Sequence, residues 1–302
     1  MIFIYISDYL NLGIKGHSNF DFVDVFLNGD NRLFIDPCLI ERDTQGWSKI
    51  AATHMSSYFD ELYNALRSEG QHIGDLFDHA HEQNATKLGY GNGQNGKGKT
   101  AKGLEECLSK LRYLTKEIPT ISCAQDLPVL VEGFAEDCMS DLLTNILHDS
   151  LNQFTALQMA KYGRKPDGEK SFFTWDCTSS SWQNASRPCW LYNGKELLLV
   201  PKWIVRKNFL FSTHQYLYGV IIERMRDEKG WHNSKKIDIL NNIPKKSEHW
   251  KYDEVIDYTM SHPEALSEYH QRLPKYYGRA RGCMNDEDLD KAVYRDVLKL
   301  AQ

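Results

Sequence analysis

Four charged side chains form the group in this sequence that is most typical of a catalytic site. Asp36 ends a predicted strand, and Lys202 follows the apolar run 197–200. Asp137 and Asp141 stand four residues apart near the start of a predicted helix, so they share one helix face. Carboxylate oxygens bind hard cations, and a bound metal activates water and neutralises phosphate oxygens. The pattern predicts a Mg²⁺ site that the three aspartates ligate, with Lys202 as a neighbouring catalytic cation.

Two alternatives to this metal site stay open. Acidic residues in the first turn of a helix are ordinary complements to the helix dipole, and Asp137 and Asp141 fit that role as well. The compact motif in which lysine follows a carboxylate by two residues is missing, because Glu196 precedes Lys202 by six. His79, His81 and their neighbour Glu82 also carry metal donors, but histidines two apart do not face one way on a helix.

A glycine-rich tract spans residues 89–103, and its segment 93–100 matches the phosphate-binding pattern G-x-x-x-x-G-K-[ST]. That chemistry requires a buried strand that leads into the loop, and the preceding residues 79–90 are too polar to form one. We therefore predict a loop in which Lys97 and Lys99 contact an anion such as nucleic acid. A plain solvated loop and a nucleotide-binding loop remain the alternatives.

The net charge of −5 is unevenly distributed. Residues 1–194 carry 17 Lys/Arg and 25 Asp/Glu, whereas residues 195–246 carry 11 and 5. A basic segment is typical of nucleic-acid binding, and Arg206 and Lys207 are its candidate phosphate contacts. The aromatic segments 203–218 and 249–252 also suit base stacking, although such aromatics more often lie in a core. A normally solvated surface is the alternative interpretation of the charge.

The composition limits the class of protein. The chain has 302 residues, of which 41% are hydrophobic and 25% charged, as in an ordinary globular protein. Its apolar runs are far shorter than the ~18 residues of a membrane span, and its first residues do not resemble a signal peptide. The seven cysteines are odd in number and form no C-x-x-C pair, which favours reduced thiols in a cytoplasmic protein.

Periodicity predicts the elements that would position these residues. Residues 20–28 and 32–36 alternate around an Asn/Gly/Asp turn and predict a β-hairpin, while residues 47–66 predict an amphipathic helix. Further predicted strands cover 127–132, 172–175 and 196–200, and further predicted helices cover 73–77, 103–114, 135–162, 213–228, 252–261, 264–273 and 285–300.

The predicted fold class is mixed α/β. It combines a small central sheet and an N-terminal β-hairpin with flanking helices and a helical C-terminal part. We predict a core over residues 1–210 and place the helical part at 211–302, packed on the same domain.

Several short stretches follow one another in a characteristic order and spacing: Leu33–Pro37, Glu82–Asn84 with Leu88–Tyr90, Glu132–Phe134 with Asp137–Ile146, and Leu198–Lys202 with Val205–Arg206. Together they resemble a group of uncharacterised bacterial proteins found among phage-defence and mobile-element genes. The resemblance spans roughly residues 20–210 and implies no settled activity. It directs attention to Glu82, Asp137, Ser140, Asp141, Asn145 and Lys202, and it adds Glu82 to the expected metal ligands.

Taken together, these patterns favour a Mg²⁺-dependent nuclease of a bacterial defence or mobile-element system. We expect it in the cytoplasm, with nucleic acid and a protein encoded nearby as partners and with no membrane association. The first alternative is a non-enzymatic subunit or sensor that binds a protein or nucleic acid. The second is a nucleotide-binding protein that uses residues 93–100. Convergence of Asp36, Asp137, Asp141 and Lys202 would favour the nuclease, and their separation would favour the subunit.

Overall fold

The computed structural model describes residues 4–68, 73–79, 84–90, 110–279 and 282–295. Helices and three small antiparallel sheets build this part of the chain, which confirms the mixed α/β class. The α-helices are α1 (Ile6–Tyr9), α2 (Pro37–Arg42), α3 (Gly46–Ser68), α4 (Ile73–Phe77), α5 (described over 110–117), α6 (Asp126–Leu130), α7 (Glu136–Ile146), α8 (His148–Lys161), α9 (Thr213–Tyr216), α10 (Ile222–Glu228), α11 (Lys236–Asn242), α12 (Trp250–Ser261), α13 (Glu264–Arg279) and α14 (Asp286–Asp290).

Each sheet has two strands. The pairs are β1 (Phe34–Ile35) with β6 (Val205–Arg206), β2 (Gly168–Asp176) with β3 (Ser181–Cys189), and β4 (Leu191–Tyr192) with β5 (Lys195–Glu196). Within the described ranges these sheets stay separate, so the expected central sheet is replaced by three small ones around helices.

The predicted N-terminal β-hairpin is wrong. Residue Phe34 of β1 pairs with Arg206 of β6 rather than with the segment 20–28. That segment is buried from Phe22 to Leu27 and forms only isolated bridges, such as the one from Phe22 to Pro201. Its alternating pattern therefore reflects burial among neighbouring elements and not a ladder with the next strand.

Two other predicted strands are also wrong. Residues 127–130 lie in α6, where Pro128 occupies the first turn and its missing N–H costs no helical hydrogen bond. Residues 197–200 are fully buried, but their backbone bonds go to separate parts of the chain. For example, the Leu198 N–H donates to the Ala85 carbonyl at 2.9 Å, and the Leu199 N–H donates to Thr155 Oγ1 at 2.8 Å.

The strongly periodic elements agree with the prediction. The predicted helix 47–66 lies within α3, and the predicted strand 172–175 lies within β2. The predicted long helix 135–162 is divided at Leu147 into α7 and α8. It ends as expected at Gly163, whose φ of +68° is one that glycine adopts without strain.

The C-terminal helices pack against the rest of the molecule. Tyr277 of α13 donates to Asp36 at 2.6 Å, and Thr213 of α9 donates to the Val129 carbonyl at 2.8 Å. A continuous cluster of buried apolar side chains extends from Tyr5 to Val293. None of the helices in the described ranges has both the length and the apolar character required to cross a bilayer.

Candidate functional site

Asp36 is a buried helix cap. Its Oδ1 accepts the Cys38 N–H at 2.9 Å at the start of α2, and its Oδ2 accepts the Tyr277 hydroxyl at 2.6 Å. Burial raises the pKa of Asp36 to about 7, although these two donors and the nearby Arg206 oppose the rise. One carboxyl oxygen therefore caps α2, and the other holds the start of α2 against α13.

Lys202 and Arg206 also make internal contacts. Lys202 Nζ donates to Asp286 at 2.6 Å and to the His17 carbonyl at 2.7 Å. Arg206 donates to the Gly282 carbonyl, and its guanidinium lies 5.9 Å from the centre of the Tyr277 ring. These two cations thereby link the segment around β6 to the C-terminal helices.

The start of α7 faces the loop at Gly89 and Tyr90. Asp137 Oδ1 would lie 3.1 Å from a Cβ at Gly89, whose φ of +150° already favours glycine. The Tyr90 hydroxyl donates to the Glu136 carboxylate at 2.8 Å. Further along α7, the side-chain amide of Asn145 donates to the backbone carbonyl of Asp141 at 3.0 Å. Asp137 therefore lies in the first turn of α7, beside the Gly89 loop.

The remaining predicted site residues are Lys207, Glu82, Lys97 and Lys99. Lys207 is half-buried directly after β6. Glu82, Lys97, Lys99 and the glycine-rich segment 93–100 lie outside the described residues.

We expect the substitution Asp137→Asn to lower the free energy of unfolding by about 0.5–1 kcal/mol. It removes a negative charge from the first turn of α7, whose N-cap residue Ala135 offers no side-chain acceptor. Urea denaturation measures this change, and Asp141→Asn is the control because Asp141 lies beyond the first turn. An Asp137→Asn protein of unchanged or higher stability that has lost metal-dependent activity would instead identify Asp137 as a metal ligand.

Across the described ranges, one group of three donor side chains has its atoms within 4.8 Å of one another: Cys123, Asp126 and His270. The Cys123 sulfur lies 3.3 Å from His270 Nε2 and 3.4 Å from Asp126 Oδ2. His270 Nε2 lies 2.6 Å from Asp126 Oδ1. Sulfur, nitrogen and oxygen donors thus meet at one point.

Two elements hold this group together. Asp126 begins α6, and its Oδ2 accepts the N–H groups of Ser122 at 2.8 Å and Cys123 at 3.0 Å. This turn places the thiol and the carboxylate side by side. His270 comes from α13, which packs its apolar residues against the core and so presents the imidazole to the start of α6.

Cys123 and His270 of this group line a cavity of about 200 Å³, together with Cys38, Glu41, Arg42, Gln125 and Tyr277. Glu41 lies at the mouth, where it keeps contact with solvent, and its Oε2 accepts the Gln125 amide at 2.8 Å. Gln125 is only 2% exposed, and its Oε1 has no hydrogen-bond partner among the described residues. A buried acceptor without a donor is costly, so this oxygen indicates a ligand that donates to it.

Electrostatics at the group favour a protonated thiol when no metal is bound. Burial raises the pKa of Cys123, and the carboxylates of Asp126 and Glu41 raise it further. Burial also raises the pKa of Glu41. Burial alone would lower the pKa of His270, but the Asp126 carboxylate outweighs it and raises that pKa above the usual value.

This geometry does not suit a cysteine nucleophile. A nucleophile–histidine–carboxylate triad uses both ring nitrogens, whereas here Nε2 faces both Cys123 and Asp126. The raised pKa of the thiol also keeps its reactive thiolate form scarce. Three protein ligands of mixed type beside an open space are instead typical of a catalytic transition-metal site.

Sequence reasoning missed this group. Cys123 and Asp126 stand three residues apart, but His270 follows 144 residues after Asp126. The one available signal was the pair Cys123-x-x-Asp126 at the start of an apolar run, which is weak without a third ligand nearby.

The comparisons with known proteins identify the family alone. Comparison with curated proteins and with solved structures found no match. A family match covers residues 11–212, which include Cys123, Asp126 and Glu41, whereas His270 lies beyond the matched region. Because this match covers about two thirds of the chain, the protein belongs to the family described as a domain of unknown function, DUF8370.

Proposed function

We propose that this protein is a metal-dependent nuclease, a hydrolase of phosphodiester bonds, with its metal held by Cys123, Asp126 and His270. The observation that carries the proposal is the convergence of these three donors beside an open cavity, whose wall includes Cys123, His270, Glu41 and Arg42. Ligands, a candidate base and a candidate phosphate-binding cation are the parts that such a reaction requires.

The donor set favours a transition metal such as Zn²⁺ over Mg²⁺. Thiolate and imidazole ligands select softer metals, whereas Mg²⁺ takes oxygen ligands. Binding would remove the proton from the Cys123 thiol, because a coordinating thiol is deprotonated. The Mg²⁺ site expected at Asp36, Asp137 and Asp141 stays a prediction, and the experiment below includes that ion.

The remaining residues have complementary roles. A metal held by these ligands would lower the pKa of the attacking water. Glu41 would take a proton from the attacking water as the water oxygen bonds to phosphorus, and would return the proton to the leaving oxygen as the P–O bond breaks. The Arg42 guanidinium binds two phosphate oxygens, a geometry that suits its planar fork.

We also propose that the protein acts in the cytoplasm of a bacterium, within a defence or mobile-element system. In support, the cysteines in the described residues are free thiols. The resemblance to bacterial proteins of such systems supports the biological setting.

A non-enzymatic subunit or sensor is the second candidate. The observation that favours it is the engagement of Asp36 and Lys202 in internal contacts, which leaves two of the expected catalytic groups committed to the fold. A protein that binds metal and nucleic acid but hydrolyses neither DNA nor RNA would support this candidate.

Metal titration tests the proposed site. We expect the purified protein to bind one Zn²⁺ or Co²⁺ per chain, with a cysteine-to-cobalt charge-transfer band in the near ultraviolet. Cys123→Ser and His270→Ala should weaken this binding more than tenfold and abolish cleavage of plasmid DNA or RNA. The band reports thiolate ligation, so it separates the Cys123 site from an oxygen-only site.

Cys283→Ser is the matched control, because Cys283 is an exposed cysteine that does not line the cavity. We expect it to bind the metal and cleave like the wild type. Cleavage that requires Mg²⁺ and is unchanged in Cys123→Ser would refute the assignment of the ligands. Absence of the cobalt charge-transfer band would also refute the assignment of the ligands.

A further inference from the structure

A second cavity, of about 450 Å³, has Pro128 of α6 in its wall. The wall also includes Phe209 and Phe211 after β6, and Trp250 and Lys251 at the start of α12. The aromatic segments 203–218 and 249–252 thus meet in one cavity, although about 40 residues separate Phe209 from Trp250 in the chain.

Flat rings line this cavity. The rings of Phe209 and Phe211 are stacked with their centres 4.8 Å apart and their planes 16° apart. His214 lies on the wall and stacks on the exposed Tyr218 at 6.0 Å. Surfaces of this kind accept a nucleobase by stacking, whatever the base, because each base has a π face.

Cations lie at the Trp250 side of the cavity. Lys245 Nζ lies 5.6 Å from the centre of the Trp250 ring, and Lys251 Nζ lies 5.8 Å from it. The wall also carries the acidic residues Glu136 and Glu248. Phosphates deep in the cavity would meet these carboxylates, whereas phosphates at its Trp250 edge can contact Lys251 of the wall and Lys245, which is not part of the wall. The charge distribution therefore favours a base inside and a phosphate backbone outside.

We propose that this cavity binds one nucleobase of a single-stranded nucleic acid, while Lys245 and Lys251 contact the adjacent phosphates. The inference deepens the proposed nuclease function by naming its substrate class. It depends on different residues from the metal site, and α6 connects the two, since Asp126 begins this helix and Pro128 lines the cavity.

Fluorescence anisotropy with a labelled single-stranded oligonucleotide in EDTA tests this proposal. We expect wild-type binding to weaken as salt rises, because bound lysines release counterions from the phosphates. Trp250→Ala should weaken binding about tenfold through lost stacking. Replacing Lys245 and Lys251 by Ala should flatten the salt dependence by about one unit of log–log slope for each lysine.

Trp231→Ala is the matched control. Trp231 is 41% exposed and has Lys229 Nζ 4.7 Å from its ring centre, so it repeats the tryptophan–lysine chemistry outside the cavity. We expect its affinity to stay within twofold of the wild type. Circular dichroism establishes that each variant is folded.

The proposal would be overturned if Trp250→Ala and Trp231→Ala lost equal amounts of affinity for the oligonucleotide. It would also be overturned if the wild-type protein did not bind it. Tighter binding of free mononucleotides or of duplex DNA than of the single strand would also overturn it, because the ligand would then not be a single-stranded nucleic acid. Since EDTA is present, a failure of the metal site leaves this binding intact. A failure of the base cavity leaves metal binding by Cys123 intact, so the two failures are distinguishable.

Discussion

Glu41→Gln is expected to lower kcat by a factor of about 10² to 10⁴, the usual contribution of a general base, while the bound metal stays in place. Glutamine keeps the size of the side chain and can still accept the Gln125 amide, which lies 2.8 Å from Glu41 in the wild type. It cannot take a proton from water. Cleavage rates at saturating metal, with metal content measured on the same sample, separate these effects.

The pH profile of the same variant adds a second measurement. In the wild type the activity should fall on the acid side as Glu41 becomes protonated, and burial shifts this limb to higher pH than for an ordinary glutamate. The limb should be absent from the residual activity of Glu41→Gln. Glu117→Gln, at an exposed position near the end of α5, is the control and should behave as the wild type. An unchanged kcat in Glu41→Gln would show that Glu41 is not the base, and loss of the metal would identify Glu41 as a ligand.

Asp36→Asn is expected to raise the free energy of unfolding at pH 8 and to leave it nearly unchanged at pH 3. The folded-state pKa of Asp36 is about 7, above the ordinary value of 3.8, so the folded protein holds this proton after the unfolded chain has lost it. Stability from this group is therefore fully present below about pH 4 and is lost as pH rises towards 7. Asparagine carries no charge, so the variant does not lose this stability as the pH rises.

The expected difference at pH 8 is roughly 4 kcal/mol, because each unit of pKa shift corresponds to about 1.4 kcal/mol. Urea denaturation of the wild type and the variant at both pH values measures it. Asp36→Ala is the companion variant. It loses the acceptors for Cys38 N–H and the Tyr277 hydroxyl, so it should be destabilised by about 1–3 kcal/mol at pH 3.

Asp36→Asn also distinguishes a structural Asp36 from a catalytic one. A buried cap should tolerate the substitution with metal binding and cleavage unchanged. A Mg²⁺ ligand should lose both when its charge is removed. Higher stability at pH 8 combined with lost Mg²⁺-dependent activity would therefore restore the metal site predicted from the sequence.

Periodicity determined the elements that have one apolar face. The helix α3 repeats apolar residues at three- and four-residue spacing, and this stripe must face the core wherever the helix lies. Gly163 marked the end of α8 for an equally local reason, since a left-handed residue is the usual helix terminator. The mixed α/β class follows from such local signals.

Strand partners were decided only by tertiary structure. The alternation in 20–28 reports that side chains are buried, but it does not say which backbone will pair with it, and β1 pairs with β6 instead. Five apolar residues such as those of 127–131 suit either a buried strand or one helical turn. Packing against neighbouring elements determined that this segment forms a helix.

The candidate site, too, could be predicted only in part from the sequence. Sequence alone predicted carboxylates as metal donors and suggested the aromatic segments near Phe209 and Trp250 as candidates for base stacking, because these are properties of side-chain chemistry. It did not assemble Cys123, Asp126 and His270, since α13 reaches the start of α6 only through the shared core. Distance along the chain carries no information about such a contact once a folded core brings remote helices together.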